Sequence, residues 1–118
     1  MTQQATVERR SVPRTVVAVP VVCQRVHARG ADVAWTGRTE DLSSIGMAVR
    51  FDDPGPSPAT VGDVIEADVS VDDLIVPVRG LVVSVEGIGS ALRIRCAFAM
   101  TGTEASREAL ADFCARVA

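Results

Sequence analysis

Apolar and polar residues alternate along most of this chain. The alternation is clearest at 64–71, where Ile65, Ala67 and Val69 are separated by acidic or hydroxyl side chains. A period of two puts one set of side chains on each face, which predicts a half-exposed antiparallel strand. Runs with similar alternation, or rich in β-branched residues, predict five more strands. They lie at 15–27, 33–41, 45–51, 74–85 and 91–98.

The period changes near the end of the chain. Apolar residues there are spaced three and four apart, at Leu110, Phe113, Cys114 and Val117. This spacing predicts an amphipathic helix, and Thr101 with Glu104 has the spacing of a capping box at its start. Six short strands followed by a terminal helix indicate an all-β fold, an antiparallel barrel with the helix packed against it. Pro20 places the first strand at an edge or a bulge of that sheet.

The composition fits one hydrophobic core and limits the kinds of partner. The chain has 118 residues, of which 47% are hydrophobic, and its formal net charge is -3. Binding a nucleic acid through a broad surface needs many positive contacts with phosphates, so this balance argues against DNA binding. All 12 basic residues are arginine, whose planar guanidinium suits phosphate and guanine.

Cysteine use and hydropathy both indicate a cytoplasmic protein. Cys23, Cys96 and Cys114 are far apart and none has the spacing of a metal site, so buried free thiols are expected. No apolar run is long enough to cross a bilayer, and the polar stretch 1–10 lacks the apolar segment of a secretion signal. We expect neither membrane insertion nor a cofactor.

No residue pattern favours catalysis. His27 is the single histidine, and no serine or cysteine with a nucleophile pattern accompanies it in the sequence, so we expect it to face solvent or to be half-buried. The acidic pairs Asp52 with Asp53 and Asp72 with Asp73 fall at strand ends, where aspartate commonly forms turns. An enzyme built on a small barrel is therefore the least favoured function.

Three arginines are concentrated just before the first strand. Arg9, Arg10 and Arg14 lie in or beside a polar stretch without hydrophobic periodicity. We therefore predict a flexible arm at 1–14 and a barrel with a terminal helix at 15–118. Guanidinium groups bind phosphate oxygens bidentately, stack on purines, or donate to O6 and N7 of guanine. A solvated basic tail is the alternative interpretation of this cluster.

A second polar pattern lies at the predicted corner between two strands, from Asp41 to Gly46. Asp41 can accept hydrogen bonds from the N1 and N2 donors of guanine, and Ser43 can contact a base or a phosphate. Gly46 permits a backbone conformation or a close approach that other residues prevent. An ordinary aspartate or serine turn is the alternative interpretation.

The two patterns together resemble the PilZ domain family, whose hallmark is an RxxxR arm followed some tens of residues later by a [D/N]xSxxG corner. Arg10 and Arg14 match the first motif. Asp41, Ser43 and Gly46 match the second. The resemblance covers nearly the whole chain, from the arm through the barrel pattern to the C-terminal helix. It implies the six-stranded split barrel of that family.

The resemblance also implies a function, that of a bacterial receptor for cyclic di-GMP without catalytic activity. It implies that Arg10 and Arg14 bind phosphate and guanine. Asp41 and Ser43 are then expected to hold a guanine against the barrel, and Gly46 to shape the corner. The family is linked with motility, exopolysaccharide synthesis and virulence.

Arg9 lies directly before the first motif. In this respect the chain resembles family members that take up an intercalated pair of ligand molecules. The arm is expected to fold over the nucleotide and create a new surface. The signal is expected to leave through an unidentified protein partner, from a monomer or a weak homodimer.

Three further questions stay open at the level of sequence. The alternative function is a divergent PilZ-like interaction module that does not bind the nucleotide, as in members that typically lack these arginines. Trp35 either flanks the ligand or, as we expect, packs inside the barrel. Arg38 either adds charge near the site or lies on an exposed strand face.

Overall fold

The computed structural model describes residues 14–26, 34–55, 59–98 and 104–117. Within them the chain forms β1 (Pro20–Arg25), β2 (Ala34–Leu42), β3 (Gly46–Phe51), β4 (Val64–Val71), β5 (Leu74–Ile88), β6 (Ala91–Phe98) and the helix α1 (Glu104–Val117). The six strands pair antiparallel in the order β1-β2-β3-β6-β5-β4, and β4 pairs with β1 to close a barrel. This confirms the predicted fold class, a six-stranded antiparallel β-barrel with a C-terminal helix.

The first strand begins later than its sequence pattern predicts. Pro20 is the first residue of β1, a position where its missing N–H interrupts no strand pairing. Because the barrel is closed, β1 has neighbours on both sides, and the prediction that Pro20 marks an edge or a bulge is wrong. His27, the other end of the predicted strand, lies outside the described residues.

The hairpin between β5 and β6 is tighter than predicted. β5 continues to Ile88, and the chain turns at Gly89 and Ser90 alone. Gly89 has a φ of 61°, a left-handed conformation that glycine adopts without steric cost. The glycine-rich stretch therefore lengthens the strand pair and does not form a separate loop.

Inward-facing side chains of all six strands fill the barrel. In β4 the predicted alternation holds, because Ile65, Ala67 and Val69 are buried at 4% exposure or less. Cys23 and Cys96 are buried free thiols within this core. Burial raises the pKa of the Cys96 thiol to about 12, so this thiol stays protonated and unreactive at neutral pH.

The helix α1 covers a part of β5 that β6 does not reach. Leu110, Phe113 and Cys114 face the core as their spacing predicts. Pairing of β5 with β6 begins at Gly80, and Ser106 Oγ donates to the Pro77 carbonyl at 2.8 Å, beyond the end of β6. A strand edge that is covered in this way is protected from pairing with another chain. Thr101, the proposed cap of the helix, lies outside the described residues.

Among the described residues, no helix combines the length and the apolar character needed to span a membrane.

Candidate ligand-binding cleft

A short antiparallel bridge fixes the end of the predicted arm to the corner after β2. The Thr15 N–H donates to the Leu42 carbonyl, and the Leu42 N–H donates to the Thr15 carbonyl, both at 2.9 Å. In an antiparallel bridge the residue before one partner faces the residue after the other. Arg14 therefore lies beside Ser43, so the second arginine of the arm motif meets the corner motif in space although the two are distant in sequence.

The helix contacts the same bridge. Thr15 Oγ1 donates to the Cys114 carbonyl at 3.4 Å, and Cys114 Sγ donates to the Leu42 carbonyl at 3.3 Å. Thr15 and Leu42 are both buried. Three elements, the start of the fold, β2 and α1, therefore determine where Arg14 leaves the barrel.

The hydroxyl of Ser43 takes part in the corner itself. Ser43 Oγ donates to the Gly46 carbonyl at 3.3 Å and accepts from the Ile45 N–H at 3.2 Å. The Ser43 N–H also donates to the Gly46 carbonyl, at 2.9 Å. A hydroxyl has one donor and two acceptor positions, so within the described part of the chain one acceptor position of Ser43 remains for a ligand. The serine-turn interpretation is thus compatible with a place in the binding site.

Gly46 allows β3 to approach β6 closely. A Cβ atom at this position would lie 2.6 Å from the Cys96 carbonyl oxygen and 3.7 Å from the Ala97 Cα. The shorter distance is well inside van der Waals contact, so a side chain would push the two strands apart. Of the two explanations offered by the sequence, close approach is the one that this position shows.

One cleft brings four of the six predicted site residues together. Arg14, Asp41, Ser43 and Gly46 all line a depression of about 250 Å³ at the corner after β2. Ile45 and Val83 supply exposed apolar side chains at the same cleft. The other two predicted residues, Arg9 and Arg10, lie outside the described residues. The cleft thus combines a carboxylate, a guanidinium and apolar surface.

The cleft contains a second described arginine that no motif in the sequence indicates. Arg95 on β6 lines the cleft, and its Nη1 lies 3.7 Å from Asp41 Oδ2. Asp41 and Arg95 both pair with Ala48 of β3, from opposite sides, so they meet above its small methyl group. Asp41 and Arg95 are neighbours because β2 and β6 both pair with β3. The local sequence around either residue does not indicate this strand order.

Charged groups next to the cleft neutralise one another. Arg93, two residues before Arg95, makes ion pairs with Glu40 and with Glu86, the latter at 2.9 Å. The hydrogen bond from Arg93 holds the pKa of Glu40 below its usual range. Glu40 is the extra residue at a bulge between Thr39 and Asp41, and such bulges redirect neighbouring side chains. With Glu40 satisfied by Arg93, Asp41 remains the carboxylate that lines the cleft.

Trp35 and Arg38 do not line this cleft. Trp35 is 7% exposed and packs edge-to-face on Phe51, with ring centroids 6.4 Å apart. This is the barrel-packing role that we expected for it. Arg38 is exposed and lies with Arg50 at a different depression, towards the other end of β2.

The comparison with known families identifies the fold. The model of the PilZ domain matches residues 8–116, a span that includes the arm motif, the whole barrel and nearly all of α1. This chain belongs to the PilZ domain family. The match begins ahead of Arg9, Arg10 and Arg14 and includes the corner from Asp41 to Gly46.

Solved PilZ structures share this barrel at low sequence identity. The inhibitor of motility MotI/DgrA from Bacillus subtilis superposes with a TM-score of 0.73 at 16% identity, over 92% of this chain and 50% of that one. The present chain thus spans about half the length of MotI. No curated protein matches the sequence.

Two further structures match over most of both chains. The PilZ domain of YcgR from Escherichia coli, solved with c-di-GMP, has a TM-score of 0.70 at 18% identity, over 92% of this chain and 91% of that one. The PilZ domain of CeSA from a cellulose-synthesizing bacterium has a TM-score of 0.64 at 17% identity, covering 87% and 95%. At such identities these likenesses show a shared fold.

Proposed function

We propose that this PilZ domain is a receptor for cyclic di-GMP and that it catalyses no reaction. The observation that carries the proposal is that Arg14, the second arginine of the arm motif, lines one cleft together with Asp41, Ser43 and Gly46 of the corner motif. PilZ domains are binding and regulatory domains of the cyclic di-GMP receptor family. Membership in that family and the geometry of the cleft support the same ligand.

The chemistry of the cleft suits a guanine nucleotide. Within the described part of the chain, the Asp41 carboxylate is 17% exposed and its one ionic partner, Arg95, is at 3.7 Å. Hydrogen bonds are shorter than this, so the carboxylate oxygens have room for the N1–H and N2–H donors of guanine. Arg14 is exposed at the rim of the cleft, where a guanidinium can bind a phosphate bidentately.

The proposal assigns residues 1–14 to an arm and residues 15–118 to the barrel with its helix. Arg9 and Arg10 would add two guanidinium groups to the grip of Arg14, and Arg9 would allow an intercalated pair of ligand molecules. Ordering the arm consumes part of the interaction energy, so we expect a modest affinity for the number of contacts. The ordered arm would then alter the surface offered to a protein partner in the cytoplasm. The process expected to respond is motility, exopolysaccharide production or virulence.

Isothermal titration with cyclic di-GMP tests the proposal. The native protein should bind at roughly tens of micromolar ligand or below. Arg10→Ala, Arg14→Ala and Asp41→Asn should each weaken binding by about tenfold or more, because each removes a charged hydrogen-bonding group. Asp68→Asn is the matched control, since Asp68 is an exposed carboxylate on the outer face of β4, away from the cleft.

The absence of binding by folded native protein would contradict the proposal. Equal loss in the Asp68 control would contradict the assigned site, because the effect would then follow from charge alone. Binding of a protein partner that responds neither to cyclic di-GMP nor to Asp41→Ala would instead favour the interaction module.

A further inference from the structure

The Asp41–Arg95 pair presents a carboxylate and a guanidinium side by side at the cleft. Both side chains point outwards from strands that flank Ala48. Their separation of 3.7 Å between Arg95 Nη1 and Asp41 Oδ2 is an ion-pair distance, longer than the 2.7–3.2 Å usual for a hydrogen bond. Each group therefore keeps hydrogen-bonding capacity while the other holds it in place.

This arrangement complements one edge of guanine. Along that edge guanine presents the O6 acceptor, then the N1–H donor, then the N2 amine donor, and the O6-bearing carbon is bonded to N1. A carboxylate can accept from N1–H and N2–H together, and a guanidinium beside it can donate to O6. Adenine reverses the first two positions, presenting a donor and then an acceptor. The guanidinium would then face a donor and the carboxylate would face an acceptor, and both contacts are unfavourable.

We propose that Arg95 reads the O6 atom of guanine and, together with Asp41, makes the cleft specific for guanine over adenine. This inference rests on the proposed function, because it assumes that Asp41 binds the guanine of a cyclic dinucleotide. Arg95 lies outside both family motifs identified in the sequence. Its side chain is 44% exposed, so it can reach a ligand without rearrangement of the core.

Among the described residues, no other arginine takes the position of Arg95 beside Asp41. Arg93 lies on the same outward face of β6 but is bound to Glu40 and Glu86. Arg50 pairs with Asp52 at 3.0 Å and lines the other depression, with Arg38. Among the described arginines, Arg14 and Arg95 are the two that line the cleft, and Arg95 is the one in an ion pair with Asp41.

A test that pairs protein variants with ligand variants isolates this contact. The ligands are cyclic di-GMP, an analogue with sulfur in place of O6, and cyclic di-IMP, which keeps O6 and lacks the N2 amine. Sulfur is a weak acceptor, so the native protein should bind the sulfur analogue about tenfold more weakly than cyclic di-GMP. The proteins are the native chain, Arg95→Ala, Arg95→Lys and the control Arg50→Ala.

Arg95→Ala should bind cyclic di-GMP about tenfold more weakly and should lose the discrimination against sulfur. It should still discriminate against cyclic di-IMP, because that ligand lacks the N2 amine assigned to Asp41. Arg95→Lys keeps a cationic donor and should retain part of the discrimination against sulfur. Arg50→Ala should behave as the native protein with all three ligands. A general loss of structure would not produce this ligand-specific pattern.

The outcomes separate this inference from the proposed function. Failure of the native protein to bind cyclic di-GMP overturns both. Native binding with an unchanged sulfur penalty in Arg95→Ala overturns the role of Arg95 and leaves the receptor proposal standing. If Arg95→Ala binds too weakly to measure, Arg95→Lys decides, and an undiminished sulfur penalty in that variant contradicts the inference.

Discussion

The two sides of the barrel are constructed differently. On one side, β4 pairs with β1 over five consecutive residues and with β5 over eight, without interruption. On the other side, bulges interrupt the pairing of β2 with β3 and that of β5 with β6. The first bulge directly precedes Asp41, and the second contains Val83, which lines the cleft. We call the first side the regular side and the second side the irregular side. The candidate site lies on the irregular side.

The comparison shows how a simple barrel acquires a polar cleft. A bulge inserts one residue into one strand and redirects the side chains next to it, which is how Glu40 and Asp41 come to serve different partners. Gly37 and Gly46 on this side both allow backbone contacts that a Cβ atom would prevent. The pairing of the regular side depends neither on such bulges nor on such glycine contacts. It provides a frame against which the cleft is positioned.

The largest loss of stability and of ligand binding is expected when a methyl group is added at Gly46, where β3 and β6 are in close contact. Gly46→Ala places a Cβ atom 2.6 Å from the Cys96 carbonyl oxygen, so β3 and β6 must separate next to the cleft. We expect a loss of about 1–3 kcal/mol in the free energy of unfolding and strongly reduced binding of cyclic di-GMP. Urea denaturation and calorimetric titration measure the two effects.

Gly87→Ala is the matched control for this substitution. Gly87 is also a strand glycine, on β5, but beyond its chain neighbours no atom lies within 4 Å of the position that a Cβ atom would occupy. We expect a change within about 1 kcal/mol, in the stabilising direction, and unchanged binding. Equal behaviour of the two alanine variants would mean that close strand approach does not shape the site.

An intermediate effect is expected when the stabilising carboxylates are protonated. The hydrogen bond from Arg93 lowers the pKa of Glu40, and the backbone N–H of Thr60, followed by Arg25, lowers that of Asp63. Such groups stabilise the fold above their unfolded-state pKa, and the contribution is lost as the pH falls through the lower folded-state value. Stability should therefore decline as the pH drops below about 4.

Glu40→Gln and Asp63→Asn should each make that acid decline less steep. Glu40 belongs to the irregular side, Asp63 directly precedes β4, and their interactions have no partner in common. Changes at independent sites usually add, so the double variant should show the sum of the two effects. Denaturation midpoints measured from neutral to acid pH test this. A double variant no flatter than either single variant would show that the two regions are coupled.

The smallest change in stability is expected when an exposed ion pair on the regular side is broken. Arg79 and Glu66 form an ion pair at 3.2 Å, with both side chains 48% exposed. Exposed pairs of this kind contribute little, so Arg79→Ala should change the free energy of unfolding by about 0.5 kcal/mol or less. Arg93→Ala, which breaks two ion pairs next to the cleft, should lower the thermal midpoint more. The reverse order would remove the energetic contrast between the two sides.

The sequence predicts those parts of the fold that depend on local periodicity. The strand at 64–71 was predicted at its observed bounds, and α1 buries Leu110, Phe113 and Cys114 as their spacing requires. Pro20 shows the limit of such reasoning, because its position in a closed barrel depends on neighbours from elsewhere in the chain. Local periodicity does not predict the bulges either, because a bulge is defined by the pairing with a partner strand.

The same division applies to the candidate site. Arg14, Asp41, Ser43 and Gly46 carry signals in their own short motifs, and all four line the cleft. Arg95 has no such motif, because its relation to Asp41 depends on β6 lying beside β3. Cross-strand neighbours of this kind follow from strand order and register.

A residue-by-residue map of cyclic di-GMP binding by NMR chemical shifts shows whether the arm and the corner bind one ligand. We expect the largest changes at 8–14, 41–46 and 95–97, with the regular side at 64–71 nearly unaffected. The arm and the corner should respond together, at the same ligand concentration, because we propose that both motifs bind one ligand. Changes confined to the regular side, or the absence of any change at saturating ligand, would contradict binding at this cleft.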